Sequence, residues 1–197
     1  MNTPPSPATE VMRRRARELI PGGAHTYAKG DDQFPEQAPP FIARGAGCRV
    51  WDTDGNQFIE HGMGLRAVTL GHGFAPVVEA VVRQLQDGTN FTRPTPLELQ
   101  CAELLQSIVP SAEMVKFCKD GSHAVDGAIR LARAYTGRDI VAICGDHPFF
   151  STSDWFIGTT QMPGGVPQWV RSHTLGFHFN DLQSVKDLFE RHPDQIA

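Results

Sequence analysis

The sequence is poor in the features that mark several common protein classes. It has 4 cysteines among 197 residues, Cys48, Cys101, Cys118 and Cys144, and none forms a C-x-x-C pair. Clustered zinc ligands are therefore missing, and no metal site is expected. No apolar run approaches the roughly 18 residues of a membrane-spanning helix, so no membrane partner is expected. The first ten residues, MNTPPSPATE, hold neither a basic stretch nor an apolar core, and a secretory signal is not expected. Basic residues are not in excess: 18 Lys+Arg stand against 22 Asp+Glu, a net charge of −4. That removes the electrostatic basis for a nucleic-acid partner. Neither G-x-x-x-x-G-K-[ST] nor G-x-S-x-G occurs, which excludes a P-loop and a hydrolase nucleophile elbow. Three of the four cysteines sit in apolar runs, where free thiols are expected to be buried. A reduced, cytoplasmic chain is the resulting expectation.

What is present reads as a mixed α/β chain. Gly 19 and Pro 15 are too many for a plain helical bundle. Residues 1–8 are Pro-rich and expected to be a disordered tail. Thr9 is placed to cap a helix with Val11, Met12, Ala16 and Leu19 at helical spacing, and Pro21-Gly22-Gly23 stops it. The basic run Arg13, Arg14, Arg15 and Arg17 reads as a solvated helix face. Residues 24–40 read as an irregular loop. From 41 to 60, short apolar runs flank Asp52-Thr53-Asp54-Gly55-Asn56, a hairpin signal. A calcium loop fails there, because Gly55 falls at loop position 4 and Met63 would stand at position 12.

A helix over 74–87 should turn Val77, Val78, Val81, Val82 and Leu85 inward. Thr95-Pro96-Leu97-Glu98 is a capping box for the next helix. Met114–Cys118 and Ile140–Cys144 read as buried strands joined through a helix over Ala124–Tyr135, a βαβ unit that implies a parallel sheet. Asn180-Asp181-Leu182-Gln183 caps a final helix, and an apolar strand begins to form at Gln195-Ile196-Ala197. The sheet reads as incomplete, the front part of a longer protein.

Two stretches could carry chemistry. The polar loop Lys119–His123 holds Gly121 and Ser122 at the mouth of a helix, whose free amides and positive dipole end suit an anion, most often phosphate. An ordinary βα turn with a small capping residue is the alternative reading. The second stretch, Gly145–Trp155, places Phe149 and Phe150 where aromatic rings could stack on a planar heterocycle or plug a core, with His147 beside them.

Four motifs occur in a fixed order: Ile20-Pro21-Gly22-Gly23, then Val50-Trp51-Asp52-Thr53-Asp54-Gly55, then Leu70-Gly71-His72-Gly73, then Ile129-Arg130-Leu131-Ala132-Arg133-Ala134-Tyr135-Thr136-Gly137-Arg138. The set resembles the front of a class III aminotransferase, in its glutamate-1-semialdehyde 2,1-aminomutase branch, from about residue 9 onward. The resemblance implies the α/β fold-type I of pyridoxal-phosphate (PLP)-dependent transferases, a homodimer, and a small-molecule amino donor and carbonyl acceptor. It implies a small-lobe segment over 9–73 and the first part of a large PLP-binding domain, with a mainly parallel sheet, over 74–197.

The family's phosphate loop reads S-G-T-E-A, and Asp120-Gly121-Ser122-His123-Ala124 stands in its place. Gly121 and Ser122 carry over as phosphate ligands, while His123 replaces the family's glutamate. Phe149 would cover the cofactor ring. Lys29 stands where the aminomutase has an arginine for the substrate carboxylate, keeping the charge but losing the bidentate fork. None of Lys29, Lys116, Lys119 and Lys186 lies in the context of the family's cofactor-bonding lysine. No catalytic residue is therefore expected within these 197 residues. Two other readings stay open. One is an inactive truncated or split module that keeps a phosphate-binding edge or a dimer interface. The other is a complete small nucleotide-binding protein.

Overall fold

A computed structural model describes residues 4–146 and 151–197 of the chain. They divide into two compact units, Met1–Pro94 and Thr95–Ala197.

The first unit opens with α1 (Pro7–Leu19), which is capped by Ser6 rather than Thr9. The Ser6 hydroxyl accepts the Thr9 amide at 3.2 Å, and proline at the first turn costs no hydrogen bond. The helix thus begins inside the stretch expected to be a tail. Three short 3₁₀ turns follow, and then β1 (Ile42–Ala46), β2 (Arg49–Asp52) and β3 (Gln57–Ile59) form an antiparallel sheet in the order β1-β2-β3. Val50 pairs with Gly45 on one side and Phe58 on the other, and is 4% exposed.

The D-T-D-G motif is explained by its hydrogen bonds. Asp52 Oδ1 accepts the amides of Asp54 (3.0 Å) and Asn56 (2.7 Å), folding the β2–β3 turn onto one carboxylate. Asp54 then receives the Ser6 hydroxyl (2.6 Å) and the Thr9 hydroxyl (2.9 Å), pinning the start of α1 to the turn. These bonds hold the Asp54 carboxyl below its ordinary range.

Beyond β3, α2 (Met63–Arg66) is a single left-handed turn: Met63, Gly64, Leu65 and Arg66 have φ of 47, 56, 60 and 71°. Each non-glycine residue there costs roughly 1–2 kcal/mol of backbone strain. Leu70-Gly71-His72-Gly73 crosses back to the sheet. Gly47 and His72 exchange amide–carbonyl bonds, both 2.9 Å long. Gly71, at φ +91°, passes so close that a Cβ would lie 3.0 Å from the Gly47 Cα. The unit ends with α3 (Ala75–Asp87), whose apolar residues Val77, Val78, Val81, Val82 and Leu85 are exposed rather than turned inward.

The second unit contains α4 (Pro96–Ile108), α5 (Gly121–Thr136), β4 (Val141–Cys144), α6 (Asp154–Ile157), α7 (Gln168–Ser172), β5 (Thr174–Phe177) and α8 (Leu182–Arg191). Asp181 caps α8 through the amides of Gln183 and Ser184. A parallel pair is present, but its strands are β4 and β5, in the register Val141↔Thr174 to Cys144↔Phe177. The strand expected over 114–118 does not form, and Met114 and Phe117 are exposed. Val141 donates to His173 on one edge, while Ile140 on the opposite edge bonds Gln195 and Ala197, through an isolated bridge to Ile196. One edge of β4 is taken by β5 and the other is bridged at Ile140 alone, and residues 114–118 pair with neither. Ile140, Leu188 and Ile196 form the buried cluster of this unit, with Ala142, Leu175 and Phe177 against it.

Apolar side chains are exposed in both units, among them Leu70 and Val81 in the first and Leu131, Tyr135 and Phe179 in the second. Cys48, Cys101 and Cys118 are exposed, contrary to the expectation of buried thiols, and Cys144 is half-buried.

Candidate functional site

In the second unit, Gly121, Ser122 and His123 are not a loop but the first turn of α5, with Asp120 as its N-cap. The sequence signal for this was Asp120 itself, whose carboxylate accepts the His123 amide at 3.0 Å. It also bonds His123 Nδ1 at 2.8 Å. The His123 amide and then its ring hold the Asp120 carboxyl below its ordinary range. At the other end, Gly137 in the left-handed conformation closes the helix through the Arg133 carbonyl.

Gly121 faces open space: a Cβ added there meets nothing within 4 Å. Its helical backbone does not demand glycine, so the missing side chain leaves room for an approaching group. The turn therefore offers helix-end amides, a hydroxyl and clearance. Against an anion stands one carboxylate, Asp120, itself engaged by His123. Phe149 and His147 lie outside the described residues.

Sequence reasoning missed a second carboxylate on α5. Asp126 receives the Ser153 hydroxyl at 2.7 Å on one oxygen and the Trp155 indole N–H at 2.6 Å on the other. Ser151, 6% exposed, donates its hydroxyl to Ser153 at 3.0 Å. At the rim of the parallel pair, Asp146 accepts the Phe179 amide at 3.0 Å and bonds His178 Nδ1 at 3.1 Å. These contacts join residues about 30 positions apart, and no local spacing signals them.

Lys29 belongs to the first unit. It lines a cavity of about 820 Å³ walled by Phe34, Ile42, Phe58 and Leu65 and by the polar residues Glu60, His61 and His72. Glu60 bonds His72 Nε2 at 2.5 Å and accepts the Gly64 amide at 3.1 Å, which ties the left-handed turn to the L-G-H loop. His72, then Gly64, with Lys29 at longer range, lower the Glu60 carboxyl.

Part of the basic run on α1 is not simply a solvated face. Asp31 accepts from Arg13, and its two oxygens take Arg17 at 2.8 Å. Arg17 and then Arg13 hold the Asp31 carboxyl below its ordinary value of 3.8. A depressed carboxyl contributes stability that is fully present above the unfolded-chain pKa and is lost as pH falls through the folded one. Asp31→Asn should therefore cost about 1 kcal/mol at pH 7, after solvent screening, and almost nothing near pH 2. Urea unfolding at the two pH values checks this, and an equal loss at both would show that the ion pairs are not its source.

No helix among the described residues is long and apolar enough to cross a membrane, and no cluster among them could hold a metal ion. The model of the class-III aminotransferase family matches residues 28–153. Glutamate-1-semialdehyde 2,1-aminomutase of Acetivibrio thermocellus is 36% identical over 96% of this chain and 46% of its own length. That of Halobacterium salinarum is 36% identical over 93% of this chain and 42% of its own. The crystal structure of an omega-transaminase from Sphaerobacter thermophilus superposes with a TM-score of 0.86 at 34% identity, over 98% of this chain and 46% of that one. The chain thus spans under half the length of the curated relatives it matches. Over that span it has the α/β architecture of fold-type I transaminases. By family match, sequence and fold together, the chain belongs to the class-III aminotransferases.

Proposed function

We propose that the chain is the N-terminal part of a PLP-dependent aminotransferase or aminomutase. It would serve the transfer of an amino group between a small-molecule donor and a carbonyl acceptor, in a homodimer. The observation that carries the reading is the first turn of α5, where Asp120–Ala124 resembles the family's phosphate-loop motif. The turn fits a phosphate in kind. Helix-end amides carry the positive end of the dipole, Ser122 adds a hydroxyl, and Gly121 leaves clearance.

When bound, PLP supplies an electrophilic carbonyl and an electron-withdrawing ring for amino-group chemistry. The chain's own part is binding and orientation. Gly121 and Ser122 hold the phosphate, and His123 engages the Asp120 carboxylate that would otherwise repel it. Lys29, in no ion pair among the described residues, holds a substrate carboxylate as a point charge. Phe149 would cover the ring, as the family resemblance implies. The free cysteines fit a reduced, cytoplasmic setting.

The test compares PLP with pyridoxal, which lacks the phosphate, on the 197-residue chain. PLP should bind at least tenfold more tightly. Ser122→Ala should remove about 1–2 kcal/mol of that preference, the worth of a hydrogen bond to a charged group. Equal affinity for the two compounds would overturn the reading.

A further inference from the structure

We propose that Asp126 is a positioning residue for the cofactor pocket, acting as a clasp between the phosphate-side helix and the chain that follows β4. The inference rests on the reading just given. The bonds from Asp126 to Ser153 and Trp155 place the N-terminal half of α5 beside the chain that follows β4. Asp126 sits five residues into α5, about 7.5 Å along the axis from Gly121.

From that point its two carboxylate oxygens hold two different donors, the Ser153 hydroxyl at 2.7 Å and the Trp155 indole at 2.6 Å. A carboxylate with one donor on each oxygen fixes both the distance and the rotation of what it holds. Ser151, nearly buried, extends the clasp: it donates to the Ser153 hydroxyl at 3.0 Å and accepts the Ser153 amide at 3.2 Å. Residues 151–155 are thereby locked one and a half turns behind the phosphate amides. The wall after β4 and the phosphate wall move as one piece. Alanine at 126 would leave α5 intact, since its caps at Asp120 and Gly137 are elsewhere, but would remove both bonds from α5 to the second wall.

The 197-residue chain, Asp126→Ala, Asp126→Asn and a control, Thr136→Ala, are compared. The control removes a side-chain bond to the Ala132 carbonyl at the far end of the same helix. Two quantities are read on each: dissociation constants for PLP and pyridoxal, and amide hydrogen exchange over 151–158. The clasp predicts that Asp126→Ala weakens PLP binding about tenfold and speeds exchange over 151–158. Asp126→Asn, which keeps one acceptor oxygen, should lose about threefold. Thr136→Ala should change neither quantity by more than a factor of two. Suppose PLP outbinds pyridoxal on the parent chain and Asp126→Ala leaves its affinity unchanged. The positioning role then fails while the cofactor reading stands. Equal binding of the two compounds on the parent chain overturns both. Faster exchange without lost affinity marks a purely structural contact and also overturns the proposal.

Discussion

Gly71→Val should destabilise the first unit by about 3 kcal/mol, enough to unfold much of a marginally stable domain. Two costs combine. The backbone at φ +91° is one that a β-branched residue adopts only under strain. The new Cβ would also stand 3.0, 3.2 and 3.3 Å from the Cα, C and O of Gly47. Those atoms are main chain, held by the reciprocal 2.9 Å bonds between Gly47 and His72, so they cannot swing aside without breaking that pair. His72 would then move off Glu60, which also holds the left-handed turn. Gly127→Ala is the matched contrast. Gly127 lies inside α5, with nothing near its missing Cβ, and alanine there should stabilise by about 0.5–1 kcal/mol. Thermal unfolding of both variants checks the pair of opposite signs. A loss under about 1 kcal/mol at Gly71 would show that the L-G-H crossing yields more easily than its contacts imply.

The second large effect is expected at Leu188, which is 4% exposed and packs with Ile140 and Ile196. Leu188→Ala should cost about 2–4 kcal/mol, since truncation leaves a void that its neighbours refill only in part. The loss would fall on the edge of β4 where Ile196 bridges, because Leu188 backs that bridge. Leu182→Ala, on the same helix but 67% exposed, should cost less than about 0.5 kcal/mol. Urea unfolding of the two variants measures the difference, and similar values would deny this cluster its role as the unit's core.

The contrast between these sites marks what the sequence could disclose. The antiparallel strands were legible, because Val50, Trp51, Phe58 and Ile59 flank an Asp-Gly turn whose hydrogen bonds are local. The helices over 75–87, 96–108 and 182–191 were legible from spacing and caps. Residues 114–118 were misread because an apolar extended run says nothing about whether another strand lies beside it. β5 was missed: Thr174-Leu175-Gly176-Phe177 is short, carries a glycine, and is a strand only because β4 lies beside it. At the candidate site, Gly121, Ser122 and His123 read as loop and proved helical, because Asp120 caps the turn they form. Asp31, Asp126 and Asp146 could not be found. Each acts on partners 14 to 33 residues away, beyond any local period.

The two sheets also differ in when they can form as the chain is made. The first joins near neighbours in sequence, so its strands can pair soon after Ile59 has emerged. β4 has no local partner. Its paired edge waits for Thr174–Phe177, and the bridge at neighbouring Ile140 waits for Ile196. At 5–20 residues per second, the last of these follows Cys144 by about 50 residues, or roughly 3–10 s. Until Phe177 has appeared, an apolar strand shows both edges to solvent, the arrangement most prone to pairing with another chain. A chaperone that shields extended apolar segments would serve this protein most between the appearance of Cys144 and that of Phe177.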